Sequence, residues 1–418
     1  MRVMHERCAG LDVHKDSVYV CIRVIKGGEV IMEKRRVGTT TAELLALAEW
    51  LLSWEVTQVV MESTGVYWRP VFNILESSFS VMLCNAQHVK QVPGRKSDAS
   101  DSEWLAELLQ YGLLRGSFIP PPPVRELREL TRTRLALVQE KTEHANRVQK
   151  VLETANIKLA SVASDVLGVS GRRILKALCE GHAEPAALAD LARGTLRNKR
   201  ADLEQALTGR VADHHRFLLG VHLEMITSLE RKIEELSERI ERIIREQQSG
   251  GADPRPFAAA VALLKTMPGV ADRAAQLIIG EIGTDMSRFP TSQHLSSWGA
   301  VAPGMNTSGE RRKPAHVKKG NTVLKSTLVQ AAWAAIKNKD SYLHALFCRV
   351  ARKEGKQVAI VAVAHSMLVS IYHMLMTGEE YRDLGPSHFD RQDREHAKRS
   401  AIRRLEALGY RVALATAS

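Results

Sequence analysis

Four acidic residues in the amino-terminal part of the chain have the residue types of a metal site for phosphodiester chemistry. Asp12 lies in an apolar run with strong β-propensity, and Glu62 ends a second apolar run, VTQVVMESTG. Asp98 and Asp101 open a helix-like stretch, where their i, i+3 spacing places both on one helical face. Carboxylate oxygens suit Mg²⁺ or Mn²⁺, and two such ions can clamp the attacking and leaving oxygens of a phosphoryl transfer.

Each of these acids taken alone is more typical of a solvated surface or a helix cap than of a metal ligand. Asp98 could be an N-terminal cap, and Asp101 could be a favourable charge in the first helical turn. Asp12 and Glu62 fit that alternative less well, because an unpaired charge against an apolar strand is costly. The four acids together therefore favour a metal site.

A second candidate site is the basic segment from 304 to 325, GMNTSGERRKPAHVKKGNTVLK. Its basic residues are Arg311, Arg312, Lys313, Lys318, Lys319 and Lys325. Glu310 is the single acid among them, so the segment would attract phosphates. Ser308 lies in the same segment, and a serine hydroxyl can attack phosphorus when cations stabilise the developing charge. A serine in a loop is more often a turn former, and Thr307 and Ser326 compete for the same role.

The stretch that follows residue 123 predicts a long helix with a basic stripe. Arg125, Arg128 and Arg132 could follow a nucleic-acid backbone along this helix. Glutamates are interspersed among them, so a solvated charged face is an equally good interpretation.

An apolar seam further along the chain predicts a second long helix. Its members alternate by three and four residues and are Ile226, Leu229, Ile233, Leu236, Ile240 and Ile243. Isoleucine mostly at one seam position and leucine at the other favours a two-stranded coiled coil between subunits, although the same stripe could pack within one chain. We therefore expect a homodimer or homotetramer.

Composition favours a nucleic-acid partner without deciding the function. The 418 residues include 59 Lys and Arg against 47 Asp and Glu, which gives a net charge of +12. Such a balance favours a polyanionic partner. The five cysteines are widely spaced without a metal-ligand pattern, and no run has the roughly 18 apolar residues of a membrane span. We expect a cytoplasmic, nucleoid-associated protein with no membrane contact.

The order of predicted elements places the acids on a mixed α/β domain at 1–122. Three strands, a helix, the strand that ends at Glu62, a helix and a further strand match an RNase H-like sheet. Prolines at 120–123 interrupt the chain. We then expect a helical linker and coiled coil at 123–250, a mostly helical domain at 251–378 with a helix-hairpin-helix-like turn at Pro268-Gly269, and a tail at 379–418.

Several of these segments resemble a known family. GLDVHK, MESTGVYW and KSDASD are similar to the DEDD domain of insertion-sequence transposases of the family numbered one hundred and ten, a domain related in fold to the RuvC junction resolvase. The later segments LKTMPGVADRAAQLIIGEIG, HLSSWGAVAPGMNTSGERR and KKGNTVLKSTLVQAAWAA resemble the same family's carboxyl-terminal transposase domain. The resemblance covers roughly residues 8–155 and 262–350, in the family's order.

The resemblance implies a DNA recombinase of a mobile element. Asp12, Glu62, Asp98 and Asp101 would bind the metal, and Ser308, just before a glycine, would form a phosphoserine intermediate with donor and target DNA. The family also implies a structured noncoding guide RNA, the bridge RNA. Two alternatives remain: a metal-dependent RuvC-like junction resolvase or nuclease in which water attacks and no covalent intermediate forms, and a nonenzymatic nucleic-acid scaffold. The four acids argue against the scaffold.

Overall fold

A computed structural model describes residues 2–63, 65–85, 89, 100–182, 184–247, 255–303, 307–308, 311–312, 320–389 and 394–413. The chain forms two compact units, Met1–Ile119 and Pro120–Ser418. The first unit is α/β, and the second is helical apart from a two-residue strand pair.

The first unit is built on a five-stranded mixed sheet in the order β3-β2-β1-β4-β5. The strands are β1 (Arg7–Val13), β2 (Val18–Lys26), β3 (Glu29–Val37), β4 (Gln58–Glu62) and β5 (Ser80–Cys84). The first three strands are antiparallel, and β4 and β5 continue the sheet parallel to β1. This sheet confirms the predicted α/β class and is consistent with a RuvC-like DEDD domain.

Helices cover both faces of this sheet. On one face, α1 (Thr41–Ser53) and α2 (Trp68–Leu75) bury aliphatic side chains against the strands. Thr40 caps α1, since its hydroxyl accepts from the backbone N–H of Glu43 and the Glu43 carboxylate accepts in return. On the other face lies α3 (Asp101–Gln110), whose Trp104, Leu105 and Leu108 pack on the strands.

The second unit begins at the prolines that sequence analysis identified as a break. Pro122 is the first residue of α4 (Pro122–Thr154), where the missing proline N–H costs no helical hydrogen bond. The helices that follow are α5 (Leu159–Val162), α6 (Val169–Cys179), α7 (Pro185–Ala189), α8 (Arg200–Ala206) and α9 (Asp213–Glu246). The long helices α4 and α9 pack against each other.

This packing corrects the expectation for the apolar seam. The predicted helix is present as α9, but Ile226, Ile233 and Ile240 are buried within one chain, on the side that packs against α4. Burial in a single subunit leaves these side chains no surface for a second one. The structure therefore shows these residues packed within one chain, the other possibility, and does not show a coiled coil between subunits.

The remaining helices form the core of the carboxyl-terminal part. They are α10 (Phe257–Lys265), α11 (Asp272–Ile282), α12 (Ser292–Trp298), α13 (Thr322–Ala335), α14 (Tyr342–Glu354), α15 (Lys356–Thr377) and α16 (Arg394–Ala407). Within the described part of the chain, α15 alone has the length and hydropathy of a membrane span. It packs against α10, α12, α13 and α14, and 56% of its apolar window is buried, as in the core helix of a globular unit.

The predicted helical hairpin is present as α10 and α11. Gly269, in the turn between them, has φ +83°, and a Cβ there would lie 2.2 Å from the backbone oxygen of Ala331. The turn therefore packs closely on α13, and a larger residue would clash with backbone.

Candidate active site

Asp12 and Glu62 lie side by side at the carboxyl ends of two neighbouring parallel strands. Leu11 pairs with Met61 in the register of β1 and β4, and Asp12 and Glu62 are the next residue of each strand. Adjacent strands lie about 4.8 Å apart, so the two acids start from closely spaced backbone positions. The carboxyl ends of parallel strands are where open α/β sheets form their sites.

Both acids project towards the face of the sheet that α3 covers. Side chains alternate along a strand, and Leu11 and Met61 belong to the core beneath α1 and α2. Asp12 and Glu62 therefore point to the opposite face, where Val60, two residues before Glu62, packs with α3. The side chain of Asp12 is 23% exposed, and Glu62 is half-buried. Both carboxylates are therefore partly accessible to solvent.

Helix α3 brings Asp101 to the same end of the sheet. The Sγ atom of Cys8 lies 3.5 Å from the carbonyl oxygen of Ala106, and the Met4 N–H donates to the carbonyl of Gln110 at 2.9 Å. The carboxyl end of α3 thus lies at the start of β1, so the helix runs antiparallel to that strand. Asp101, the first residue of α3, lies at the Asp12 end.

A glycine allows this close approach. A Cβ on Gly10 would lie 2.2 Å from the backbone oxygen of Ser102 and 2.4 Å from the backbone nitrogen of Ala106. No other residue type leaves room for the helix backbone at this distance. Gly10 therefore determines where the first turn of α3, and with it Asp101, lies on the sheet.

Other polar groups near the acidic end also have defined positions. His14 Nε2 lies 3.2 Å from Asp12 Oδ2. Cys84 pairs with Glu62 in the register of β4 and β5, and burial raises the pKa of its thiol to about 12, so it stays neutral near pH 7 and adds no charge beside that acid.

The residues present fit a divalent cation by their chemistry. Asp12, Glu62 and Asp101 provide hard oxygen donors at one end of the sheet, as Mg²⁺ and Mn²⁺ prefer. Asp98, the fourth predicted ligand, lies outside the described residues. Among the residues that are described, no group of three or more His, Cys, Asp and Glu side chains is close enough to form a metal cluster.

The three arginines of the predicted basic stripe on α4 form hydrogen bonds and ion pairs within the fold. Arg132 forms two hydrogen bonds with the carboxylate of Glu281, from Nε at 2.6 Å and from Nη2 at 2.9 Å. Arg128 Nε lies 3.3 Å from Glu281 Oε2, and Arg125 donates to the carbonyl of Pro120 at 3.3 Å. Arg128 and Arg132 thus neutralise a buried acid within the fold, and their contact with phosphates stays a prediction.

The serine segment is described only in part. Thr307–Ser308 and Arg311–Arg312 form β6 and β7, an antiparallel pair in which Ser308 faces Arg311 in the register. Lys313, Lys318 and Lys319 lie outside the described residues. Ser326, one competitor for the nucleophile, donates its hydroxyl to the carbonyl of Val323 at 2.9 Å within α13.

Glu281 and its partner Asn321 are not among the functional residues predicted from the sequence. Glu281 is fully buried, and Asn321 Nδ2 donates to Glu281 Oε2 at 2.6 Å. A signal was available, because Glu281 is a single acid within the apolar run LIIGEIG, where a charge requires a partner.

A sheet with acids at adjacent strand ends, joined to a helical unit that carries a basic serine segment, is typical of enzymes that act on nucleic-acid phosphodiesters. The DEDD model of the IS110 transposases matches residues 9–157, and a model described as transposase IS116/IS110/IS902 family matches residues 261–348. The chain belongs to the IS110 family of transposases. It is therefore a DNA-cleaving and DNA-rejoining enzyme, whose DEDD domain indicates a requirement for a divalent metal.

Similar proteins span most of the chain at low identity. The transposase for insertion sequence element IS1111A of Coxiella burnetii is 24% identical over 382 residues, which cover 89% of this chain and 90% of the relative. The insertion element IS110 uncharacterized 43.6 kDa protein of Streptomyces coelicolor is 26% identical over 310 residues, covering 71% and 74%. A putative transposase of Sinorhizobium fredii, y4rJ, is 24% identical over 308 residues, covering 68% and 67%.

Proposed function

We propose that this transposase recombines DNA by metal-assisted attack of Ser308, guided by a structured noncoding RNA. One observation carries the metal-assisted part: Asp12 and Glu62 end adjacent strands, and α3 begins with Asp101 at the same end of the sheet. Membership of the IS110 family supports the serine and the RNA.

In the proposed site, Asp12, Glu62, Asp98 and Asp101 hold Mg²⁺ or Mn²⁺. When bound, such ions stabilise negative charge on the phosphate and lower the pKa of an oxygen nucleophile. The chain contributes rigidity, since β1 and β4 fix the relative position of Asp12 and Glu62 before the substrate arrives.

Ser308 is the proposed nucleophile. Its Oγ forms a bond to phosphorus while the bond from phosphorus to one deoxyribose oxygen breaks, and the serine proton passes to a base or water. The leaving strand takes up a proton as its hydroxyl. A hydroxyl of a second strand then attacks the phosphoserine, which restores the serine and a phosphodiester without an external energy source. Arg311, Arg312, Lys313, Lys318 and Lys319 would neutralise the phosphates around this step.

The proposed partners are donor and target DNA and a bridge RNA. Strand exchange between two duplexes requires more than one active site, so we propose a homodimer or homotetramer in the cytoplasm, associated with the nucleoid. Nucleic acid that copurifies with the full chain, once extracted and sequenced, tests the RNA: one discrete structured RNA is expected. Purification with DNA alone, or with random RNA fragments, would contradict guidance by RNA.

We expect Asp12→Asn and Glu62→Gln to slow DNA cleavage roughly 100-fold or more, because a metal clamp supplies several kcal/mol and each 1.4 kcal/mol is tenfold in rate. Nucleic-acid binding should change little, since the basic residues supply the affinity. The measurement is cleavage of end-labelled DNA across the element junction, with gel shifts for binding. Asp16→Asn is the matched control, an exposed acid in the β1–β2 turn. Full cleavage in chelator, or by both variants, would remove the metal site from the proposal.

We expect Ser308→Ala to abolish both the covalent protein–DNA adduct and strand exchange, since water as nucleophile conserves no bond energy. A denaturing gel with copurified RNA and Mg²⁺ detects the adduct, and peptide mapping locates it. Thr307→Ala, in the same short strand, and Ser326→Ala, in α13, should retain it. Free cleaved ends without an adduct at any time would favour the junction resolvase or nuclease instead.

A further inference from the structure

One row of side chains crosses four neighbouring strands at the acidic end of the sheet. Asp12 pairs with Tyr19 in the register of β1 and β2, and Tyr19 pairs with Arg36 in the register of β2 and β3. Glu62 takes the next place on the other side of Asp12, in β4. Paired residues of neighbouring strands project to the same face of a sheet. Tyr19 and Arg36 therefore lie on the same face as the two acids.

The neighbouring row of the sheet lies under the first turn of α3. In that row Gly10 pairs with Cys21, and Cys21 pairs with Lys34. A Cβ on Gly10 would lie 2.2 Å from the backbone oxygen of Ser102, and Lys34 forms an ion pair with Glu103. The first turn of α3 therefore covers this neighbouring row, and the helix runs from there away from the acidic end.

The outer members of the acidic row are accessible to solvent and are joined to Asp12 by contacts. The side chain of Tyr19 is 41% exposed, and Arg36 is exposed. The Arg36 guanidinium lies 5.4 Å from the centre of the Tyr19 ring. On the side of the acids, the rings of His14 and Tyr19 meet at right angles with their centres 5.8 Å apart. His14 in turn lies 3.2 Å from the Asp12 carboxylate, so the contacts run from Asp12 to Arg36.

The charge of Arg36 is not neutralised within the part of the chain that the structure describes. Two other basic side chains of the sheet, Arg7 and Lys34, form ion pairs with Glu55 and Glu103. Among the described residues, Arg36 has no such acidic partner, and its contact is with an aromatic ring. A cation–π contact restrains a guanidinium without removing its charge. The planar fork of a guanidinium matches the oxygens of a phosphate.

We propose that Arg36 binds a backbone phosphate of the DNA strand that is cut, with Tyr19 holding its guanidinium in place; this rests on the metal site of the proposed function. Asp12 and Arg36 are two strands apart, which separates their backbones by about 10 Å. Phosphates advance about 3.4 Å per nucleotide along one strand, so the phosphate on Arg36 lies within about three nucleotides of the cut. Arg36 thereby determines which phosphodiester lies at the acids.

Arg36→Gln tests the contact, and Arg35→Gln is its matched control. Arg35 is also exposed and lies over an aromatic ring, 4.3 Å from the centre of Trp50 in α1, but it projects to the opposite face of β3. For the full chain with its copurified RNA, we expect Arg36→Gln to weaken DNA binding roughly tenfold. The slope of log Kd against log salt concentration should fall by about 1. Arg35→Gln should change neither quantity.

DNA with one uncharged phosphate identifies the phosphate that is bound. A set of duplexes carries a single methylphosphonate at successive positions around the cut, and binding is measured in the Asp12→Asn background, where the DNA should stay intact. At one position within about three nucleotides of the cut, the methylphosphonate should weaken binding roughly tenfold when Arg36 is present. In Arg36→Gln the same methylphosphonate should cost less than about twofold, because a missing partner cannot be lost twice.

Tyr19→Leu tests the support of the guanidinium by the ring. We expect a loss of DNA affinity of about threefold, the size of an exposed cation–π contact, and little further loss when the change is combined with Arg36→Gln. Tyr19→Phe retains the ring and should bind DNA as the wild type does. Equal losses in the Phe and Leu variants, or a Leu effect that adds in full to Arg36→Gln, would contradict the role of Tyr19.

Two outcomes would overturn the phosphate contact: equal losses in Arg35→Gln and Arg36→Gln, or methylphosphonate effects that Arg36→Gln leaves unchanged at every position. Cleavage by Asp12→Asn and Glu62→Gln tests the metal site separately. Normal cleavage by both of these variants contradicts the proposed function. Slow cleavage by both, with DNA binding that Arg36→Gln does not weaken, contradicts the role of Arg36 alone.

Discussion

A single residue at the acidic end of the sheet determines how closely α3 packs on β1. That residue is Gly10, because the position of a Cβ there coincides with backbone atoms of α3. Backbone cannot move aside as a flexible side chain can, so any larger residue must displace the helix. The displacement would move Asp101 away from Asp12 and Glu62, so this position couples stability to the geometry of the proposed metal site.

We expect Gly10→Ala to lower the free energy of unfolding by about 1–3 kcal/mol and to reduce DNA cleavage, because α3 must shift on the sheet. Urea denaturation and the cleavage assay measure the two effects. Gly220→Ala, in α9, is the matched control: a Cβ there meets nothing within 4 Å. That change should stabilise by roughly 0.5–1 kcal/mol, the difference between glycine and alanine in a helix. Unchanged stability of Gly10→Ala would show that α3 does not approach as closely as the structure has it.

At the scale of whole elements, strands and helices that follow from a local apolar pattern could be predicted from the sequence. Contacts between residues that are far apart in the chain could not. The strand that ends at Glu62 and the helix α9 follow from their own apolar patterns, and both are present. The periodic seam of α9 indicates an apolar stripe but not which surface covers it. In the same way, nothing near Arg132 in the sequence indicates its ion pair with Glu281, which is 149 residues away in the chain. Long-range pairing of this kind leaves no periodic signal.

The packing of α9 on α4 leads to a prediction that separates the two interpretations of the seam. Ile233→Ala should lower the free energy of unfolding by roughly 2–4 kcal/mol, as for other buried aliphatic truncations. Leu218→Ala, in the same helix but 39% exposed, should cost much less. If the seam is internal, the loss is independent of protein concentration; a loss that shrinks as concentration rises would indicate a seam between subunits.

At the scale of the whole molecule, the net charge does not give the number of phosphates that the protein contacts. The chain carries a net charge of +12, but many basic side chains are paired with acids, as Arg128 and Arg132 are with Glu281. Each phosphate that a basic side chain contacts releases counterions, so the salt dependence of binding reports the number of contacted phosphates. Cations that are already paired with acids therefore contribute little to this salt dependence. The basic serine segment, with one acid among its cations, is the better candidate for such contacts.

We expect Lys318→Gln together with Lys319→Gln to reduce the slope of log Kd against log salt concentration by about 2, one for each lost phosphate contact. Arg231→Gln with Lys232→Gln is the matched control, because it removes the same formal charge from exposed residues of α9 that pair with Glu235. Its slope should stay near that of the wild type. Fluorescence anisotropy with labelled DNA between about 50 and 200 mM salt measures both slopes, over the range where such contacts change affinity most visibly. Equal reductions in the two variants would mean that overall charge governs binding, and an unchanged slope in the Lys318 and Lys319 variant would remove these lysines from the DNA contact.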